Sequence, residues 1–333
     1  MQKASFSAFV AGGWRMAGFL LLSGGLYSNA SADGWDPGSG TTAIGSVVNT
    51  RHNLTVSWYA YDYMSSARNQ YNDVCVYCHT PHGANSQIAA PLWNRTINSD
   101  SNYTIYDKPT TLMRPTSVPG PSSLTCLSCH DGTISIDSVL NMPGSGRDPM
   151  NSGLLNAEVG ESNAAFLGQW RAAGNVGPIG VHMTLGGPGL TCANYCHNPA
   201  NDELTGWTDF TAFVIGTDLR DDHPIGVQYP DTFGPSVDFN PPDTTIPGKW
   251  AFFDTNGNNF ADTNEIRLYD TGDGYEVECA SCHDPHGVPS GGDGSRFSPS
   301  FLRVNNGVAG THSGVTGIVS HGPSALCLTC HTK

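Results

Sequence analysis

The sequence predicts a mostly irregular, coil-rich chain with short helices and few short strands. Three observations lead there: the composition, the placement of cysteine, and a surplus of histidine. Of 333 residues, 40 are Gly and 22 are Pro, and only 13% are charged. Such a chain has little material for long regular elements, although 10% aromatic residues argue for an ordered molecule rather than a disordered one. All ten cysteines fall into five short motifs. Four read C-x-x-C-H: Cys75, Cys78, His79; Cys126, Cys129, His130; Cys279, Cys282, His283; and Cys327, Cys330, His331. The fifth is a stretched C-x-x-x-C-H at Cys192, Cys196, His197.

In this motif two thiols add to the vinyl groups of a haem and the adjacent histidine ligates its iron, which is why the three residue types stand so close. A zinc half-site or a disulfide framework is the competing reading. Five motifs that consume every thiol set it aside. The expected fold class is therefore a multihaem cytochrome c, its chain wrapped around a row of five covalently bound haem c groups. Each porphyrin is a large apolar plate, so the polypeptide need not build a continuous aliphatic core.

From the N-terminus, Lys3 and Arg15 precede an apolar stretch from Met16 to Tyr27 and a small-residue site at Ala30-Ser31-Ala32. That order is expected of a secretory signal peptide over 1–32. A pentahaem domain over 33–333 follows. No segment approaches the roughly 20 apolar residues of a membrane span. The expected location is secreted, at the cell surface or outside it, with the periplasm as transit or alternative. Net charge is -14, with 15 Lys+Arg against 29 Asp+Glu. Binding nucleic acid needs a concentrated basic surface, so that partner is excluded.

The motif neighbourhoods repeat. Cys75-Val-Tyr-Cys-His-Thr-Pro-His82-Gly matches Cys279-Ala-Ser-Cys-His-Asp-Pro-His286-Gly, and Leu124-Thr-Cys-Leu-Ser-Cys-His130 resembles Leu326-Cys-Leu-Thr-Cys-His331. Two dihaem modules, at about 50–135 and about 275–333, are thus expected to flank a central haem region at about 175–225. Between them Met142-Pro-Gly-Ser-Gly, Leu185-Gly-Gly-Pro-Gly and Asn240-Pro-Pro-Asp signal turns. Short strands are expected at Phe210–Ile215 and Ile266–Tyr269, short helices at the motifs, and one further helix over Asn156–Ala173.

Twelve histidines are present and five serve as the proximal ligands His79, His130, His197, His283 and His331. The remainder suffices for a second imidazole on every iron, an arrangement that favours electron transfer over substrate binding. His82 and His286 each follow a proximal histidine by three residues. Pro81 and Pro285 break the helix between them and turn the second imidazole toward a different porphyrin. Three residues span at most roughly 10 Å, so the irons concerned are near neighbours. His52, His223 and His182 complete the expected distal set, with His312 and His321 as spares. Methionine, above all Met183, is the competing axial ligand.

One motif is independent of haem. Asp254, Asn256, Asn258, Phe260, Asp262 and Glu265 occupy the ligand positions of a calcium loop, with Phe260 offering its backbone carbonyl, as a hard cation requires. Asn259 stands where such loops carry Gly. An Asn/Asp/Gly turn region is the alternative.

The ordered run Arg51-His52-Asn-Leu, Cys75-Val-Tyr-Cys-His-Thr-Pro-His82, Pro91-Leu-Trp-Asn-Arg95, Cys126-Leu-Ser-Cys-His-Asp-Gly-Thr133, Asp222-His-Pro224, Cys279-Ala-Ser-Cys-His-Asp-Pro-His286 and Cys327-Leu-Thr-Cys-His331 resembles the OmcE-type outer-surface cytochromes. Those proteins polymerise into extracellular nanowires. The resemblance implies bis-histidine haems in alternating stacked and T-shaped contact, with a distal histidine lent across the subunit boundary. Here that histidine would be His82 or His52. It also implies identical subunits in a head-to-tail filament, which forms when an interface does not close, and redox partner cytochromes or extracellular acceptors. The chain departs from that family's four haems by a fifth at Cys192, Cys196 and His197. The expected function is extracellular electron transfer without catalysis. A non-polymeric periplasmic or outer-surface shuttle is the alternative, and a multihaem reductase a third reading, disfavoured because all five motifs end in His.

Overall fold

The structure is a computed structural model. It describes residues 46–55, 68, 71, 73–99, 102–106, 114, 116–141, 176–177, 180–189, 191–205, 209–288, 299–304 and 324–332. The expected signal peptide over 1–32, the helix expected over Asn156–Ala173, and the spare His312 and His321 lie outside the described residues.

The expected fold class is corrected by a five-stranded antiparallel sheet. After a small hairpin of β1 (Val176–Gly177) and β2 (Gly180–Val181) come β3 (Val227–Gln228), β4 (Thr244–Ile246), β5 (Trp250–Phe252), β6 (Arg267–Asp270) and β7 (Tyr275–Val277). The last five pair in the order β3-β7-β6-β5-β4. Nor do the described residues gather any group of three or more His, Cys, Asp or Glu side chains that could hold a metal ion. A mostly irregular chain is therefore not the architecture. Turn-forming residues misled the reading, because they close hairpins instead of marking open loops. Lys249 N–H reaches the Ile246 carbonyl (3.0 Å) around Gly248 at φ 72°. Thr271 N–H reaches Gly274 (3.3 Å), with Gly272 and Gly274 at φ 107° and 119°, conformations that cost glycine little.

The strands form because alternate residues are apolar and bury one face. Ala251 and Phe253 share a side, as do Ile266 and Leu268, and with Tyr229 they make one core cluster. Each fully buried aliphatic side chain of this kind contributes about 2 kcal/mol. The strand expected at Ile266–Tyr269 is present as β6. At Phe210–Ile215 the chain instead makes a 3-10 turn, Thr211–Phe213. There the Asp209 carboxylate accepts the Thr211 N–H and hydroxyl at 2.8 Å, a local bond that competes with a strand ladder.

The sheet positions the cysteine motifs. Strand β7 runs through Glu278 directly into a short helix at Cys279–Cys282, and the sheet's core packs on Cys282, Leu326 and Cys330. The remaining helices are α1 (Pro121–His130), α2 (Pro199–Thr205) and α4 (Ala325–Cys330), with Cys279–Cys282 as α3. Proline stands at the start of α1, where its missing N–H has no partner to lose. A second core cluster of Ile88, Trp93, Tyr103, Leu124, Leu127 and Leu219 lies under α1, and α1 packs against α3.

The repeated sequences recur as repeated hydrogen bonds. Thr80 N–H donates to Leu92 and Asn94 N–H to Cys78; correspondingly, Asp284 N–H donates to Phe301 and Arg303 N–H to Cys282, all at 2.7–2.9 Å. A strap of chain thus crosses each first motif. Leu92 and Phe301, at matching places, both have positive φ (51° and 60°), a conformation costing roughly 1–2 kcal/mol for a residue with a Cβ.

Candidate functional site

Each cysteine motif is wound so that the histidine follows the second thiol. His79, His283 and His331 donate their N–H to the carbonyl of the first cysteine, at 2.7, 3.1 and 2.9 Å. The stretched motif keeps this link despite its extra residue. Cys192–Cys196 forms a π turn, and His197 N–H reaches Cys192 at 2.8 Å. A wider turn absorbs the insertion and leaves the terminal relation intact. None of the ten cysteines is paired in a disulfide.

Four motifs adjoin. Cys126 and Cys279 are neighbours whose interaction pushes the Cys126 thiol up and the Cys279 thiol down, and the Cys126 thiol donates to the Ser122 carbonyl at 3.6 Å. Burial pushes Cys78 up to about 12, with Cys129 the next influence. Burial likewise takes Cys330 to about 12, reinforced by Cys282. The motifs at 75, 126, 279 and 327 therefore form one continuous line of neighbours. Cys192 lies apart from these pairs, near Asp137, and burial pushes its thiol up to about 12.

The histidines are held in one consistent way. Nδ1 of His52, His79, His130, His223 and His283 bonds the carbonyls of Pro285 (2.8 Å), Pro91 (2.8 Å), Phe213 (2.7 Å), Pro224 (3.0 Å) and Ser300 (2.6 Å). A carbonyl can only accept, so Nδ1 carries the proton and Nε2 keeps the lone pair that ligates a metal. His182 and His286 instead bond carboxylates, of Asp137 at 2.7 Å and Asp284 at 3.1 Å.

Two pairs of rings lie at one separation, the first near-parallel at 14° and the second edge-on at 69°. The centroids of His79 and His286 are 6.2 Å apart, and those of His52 and His130 are also 6.2 Å apart. With metal–imidazole bonds of about 2 Å, two imidazoles on opposite sides of one metal have centres roughly 6 Å apart. His223 lies within electrostatic reach of His331 and, after burial, lowers its pKa. Burial pushes His52 down to about 4, with His130 the next influence, which keeps the ring neutral as ligation requires. His197 stacks on Phe210 at 3.8 Å. His82 is exposed, its backbone carbonyl taken by Thr80 and Asn141. The Met183 carbonyl accepts the Ile136 N–H at 3.0 Å. This donor set fits a covalently attached haem: two thiols and a proximal histidine on one turn, with a second imidazole opposite in two cases.

The carbonyl straps and the two carboxylates were absent from the sequence reading. The matching segments Pro91-Leu-Trp and Ser300-Phe-Leu share no residue type that would have revealed them. Glu278 was missed as well. It is 1% exposed and its Oε1 accepts the Gly120 N–H at 3.0 Å, where α1 meets α3. Burial pushes its carboxyl up to about 7 from an ordinary 4.5. A carboxyl raised on folding stabilises fully below the unfolded value, and that contribution disappears as pH rises through the folded one. Unfolding free energy is therefore expected to fall by up to about 3 kcal/mol between pH 4.5 and 8. Glu278→Gln flattens that slope in denaturant titrations at the two pH values.

The six residues of the expected calcium loop are tied to one another and to the loop backbone by hydrogen bonds. Asp254 accepts backbone N–H groups of Gly257, Asn258 and Asn259, and Asp262 accepts the side-chain amides of Asn256 and Asn258. The Glu265 carboxylate turns inward onto the N–H groups of Thr255 and Asp262. Phe260 donates its N–H to the Asn258 side chain. Asn259 takes the positive φ (60°) that the loop position demands.

Among the described residues no helix is long and apolar enough to cross a membrane. No protein-family model matches the chain, and no curated protein is similar to it.

Proposed function

We propose that this protein is an electron conduit carrying five covalently attached haems, and that it acts outside the cell as one subunit of a head-to-tail filament. The observation that carries the reading is two pairs of imidazoles, His79 with His286 and His52 with His130, each 6.2 Å apart. When bound, haem supplies a reversible one-electron couple. The chain's part is to attach, space and bury it. Ten cysteines fix five groups, and the carbonyl-bonded Nδ1 atoms fix ring orientation and tautomer. The continuous line of motifs at 75, 126, 279 and 327 supports transfer along the molecule, and saturating both axial positions with imidazole leaves no place for substrate.

The resemblance to OmcE-type cytochromes supports polymerisation, and the histidines favour one lender. His52 is engaged with His130 inside the chain, whereas His82 is exposed. The reading therefore takes His82 as the ligand given to a neighbouring subunit. Intact mass of the secreted protein is expected to exceed that of the mature chain by five haems, and electron microscopy to show filaments. His82→Ala is expected to abolish the filaments and leave soluble subunits with one high-spin haem. Soluble, non-polymeric wild-type protein with five low-spin haems would instead establish the shuttle. A chain secreted without haem would end the reading altogether.

A further inference from the structure

Two buried side chains near the central motif do something the rest of the site does not. His182 is 3% exposed and Asp137 is fully buried, and the imidazole Nδ1 stands 2.7 Å from the carboxylate Oδ2. The pair is fixed from both sides. The Ser135 hydroxyl donates to the His182 carbonyl (3.1 Å), and Ile136 N–H donates to Met183 (3.0 Å). Arg95 clamps the carbonyls of Ile136 and Ser138, the residues flanking Asp137. Cys192 N–H donates to the carbonyl of Thr184 (3.1 Å), two residues after His182, and Asp137 acts electrostatically on Cys192.

Five other imidazoles are held by neutral carbonyls. His286 also meets a carboxylate, but Asp284 shares its charge with Arg303 at 3.1 Å, so a cation blunts the effect. The Asp137 and His182 pair is enclosed in a low-dielectric interior where a charge acts strongly.

We propose that Asp137 is a positioning residue that makes His182 a strongly electron-donating axial ligand for the haem of the central motif and so gives that haem the lowest potential in the molecule. A carboxylate accepting the Nδ1 proton raises the basicity of Nε2, and a more basic ligand stabilises the ferric state over the ferrous. The inference rests on the reading that the five motifs carry haem and that His182 ligates the central one.

The test uses the complete, haem-loaded protein. Asp137→Asn keeps shape and an acceptor oxygen but removes the charge. Spectroelectrochemical titration is expected to show one of five transitions moved to more positive potential, with every haem still low-spin by electron paramagnetic resonance. In parallel, His182→Met is expected to replace one bis-histidine signal by a histidine–methionine signal. No change of ligation in His182→Met sinks the ligand assignment and the inference with it. A ligation change there combined with five unmoved transitions in Asp137→Asn overturns the role of Asp137 alone. If Asp137→Asn does not accumulate, the haem altered by His182→Met must be the last of the five to be reduced in the unaltered protein; any earlier place in the order refutes the proposal.

Discussion

Replacing His286 by alanine is expected to leave one iron of the five with a single protein imidazole. The expectation follows from the 6.2 Å separation of His286 from His79 and their near-parallel rings, at 14°. Among the described residues, His52 is 6.2 Å from His130 instead, and His82 sits on the surface. One fifth of the haem absorbance should turn high-spin, with a matching signal in magnetic circular dichroism. The vacated iron should bind cyanide or carbon monoxide, whereas the unaltered protein binds neither. His52→Ala should affect a different haem in the same way, and the double variant two of five. Five low-spin haems in His286→Ala would mean that the two rings do not share a metal.

The largest structural effect is expected at Arg95. Its side chain is fully buried and makes five hydrogen bonds: to the Ser128 hydroxyl (3.2 Å) and the carbonyls of Ser128 (2.8 Å), Ser135 (2.9 Å), Ile136 (2.8 Å) and Ser138 (2.9 Å). Arg95→Met has nearly the right volume but strands the carbonyls of Ser128, Ile136 and Ser138, each costing about 1–3 kcal/mol, while the Ser135 carbonyl keeps the Ser138 N–H at 3.0 Å. The total, on the order of 5 kcal/mol or more after partial relaxation, rivals the whole stability of an ordinary domain. The variant is expected to be lost to proteolysis before secretion. Arg95→Lys retains the charge but lacks the planar fork that spans four acceptors, so it should give reduced yield and a lower melting temperature. A normal yield of Arg95→Met, with an unshifted thermal transition, would show that these carbonyls find other donors.

The chemistry was far more legible in the sequence than the architecture. Cysteine and histidine spacing is local, so the motifs and the helix break at Pro81 and Pro285 could be read directly. The ring pairs could not, because His52 and His130, or His79 and His286, meet only after distant segments pack. Sequence spacing made His286 a candidate ligand without naming its partner. The sheet was missed for another reason. Its strands are two to four residues long, too short for periodicity to register, and the turns at Gly248, Gly272 and Gly274 that close its hairpins were not singled out. Asp137 gave no signal, since nothing local ties it to His182.

The sheet also decides how the molecule would fail. Strand β3 joins the first half through the bridge between Thr116 and Val227, while β7 leads straight into Cys279. The contact between Cys126 and Cys279 is thus suspended from a few backbone bonds. Local melting there would open a gap in the middle of the line of motifs while leaving both ends folded, like a fuse that breaks a circuit at one defined point.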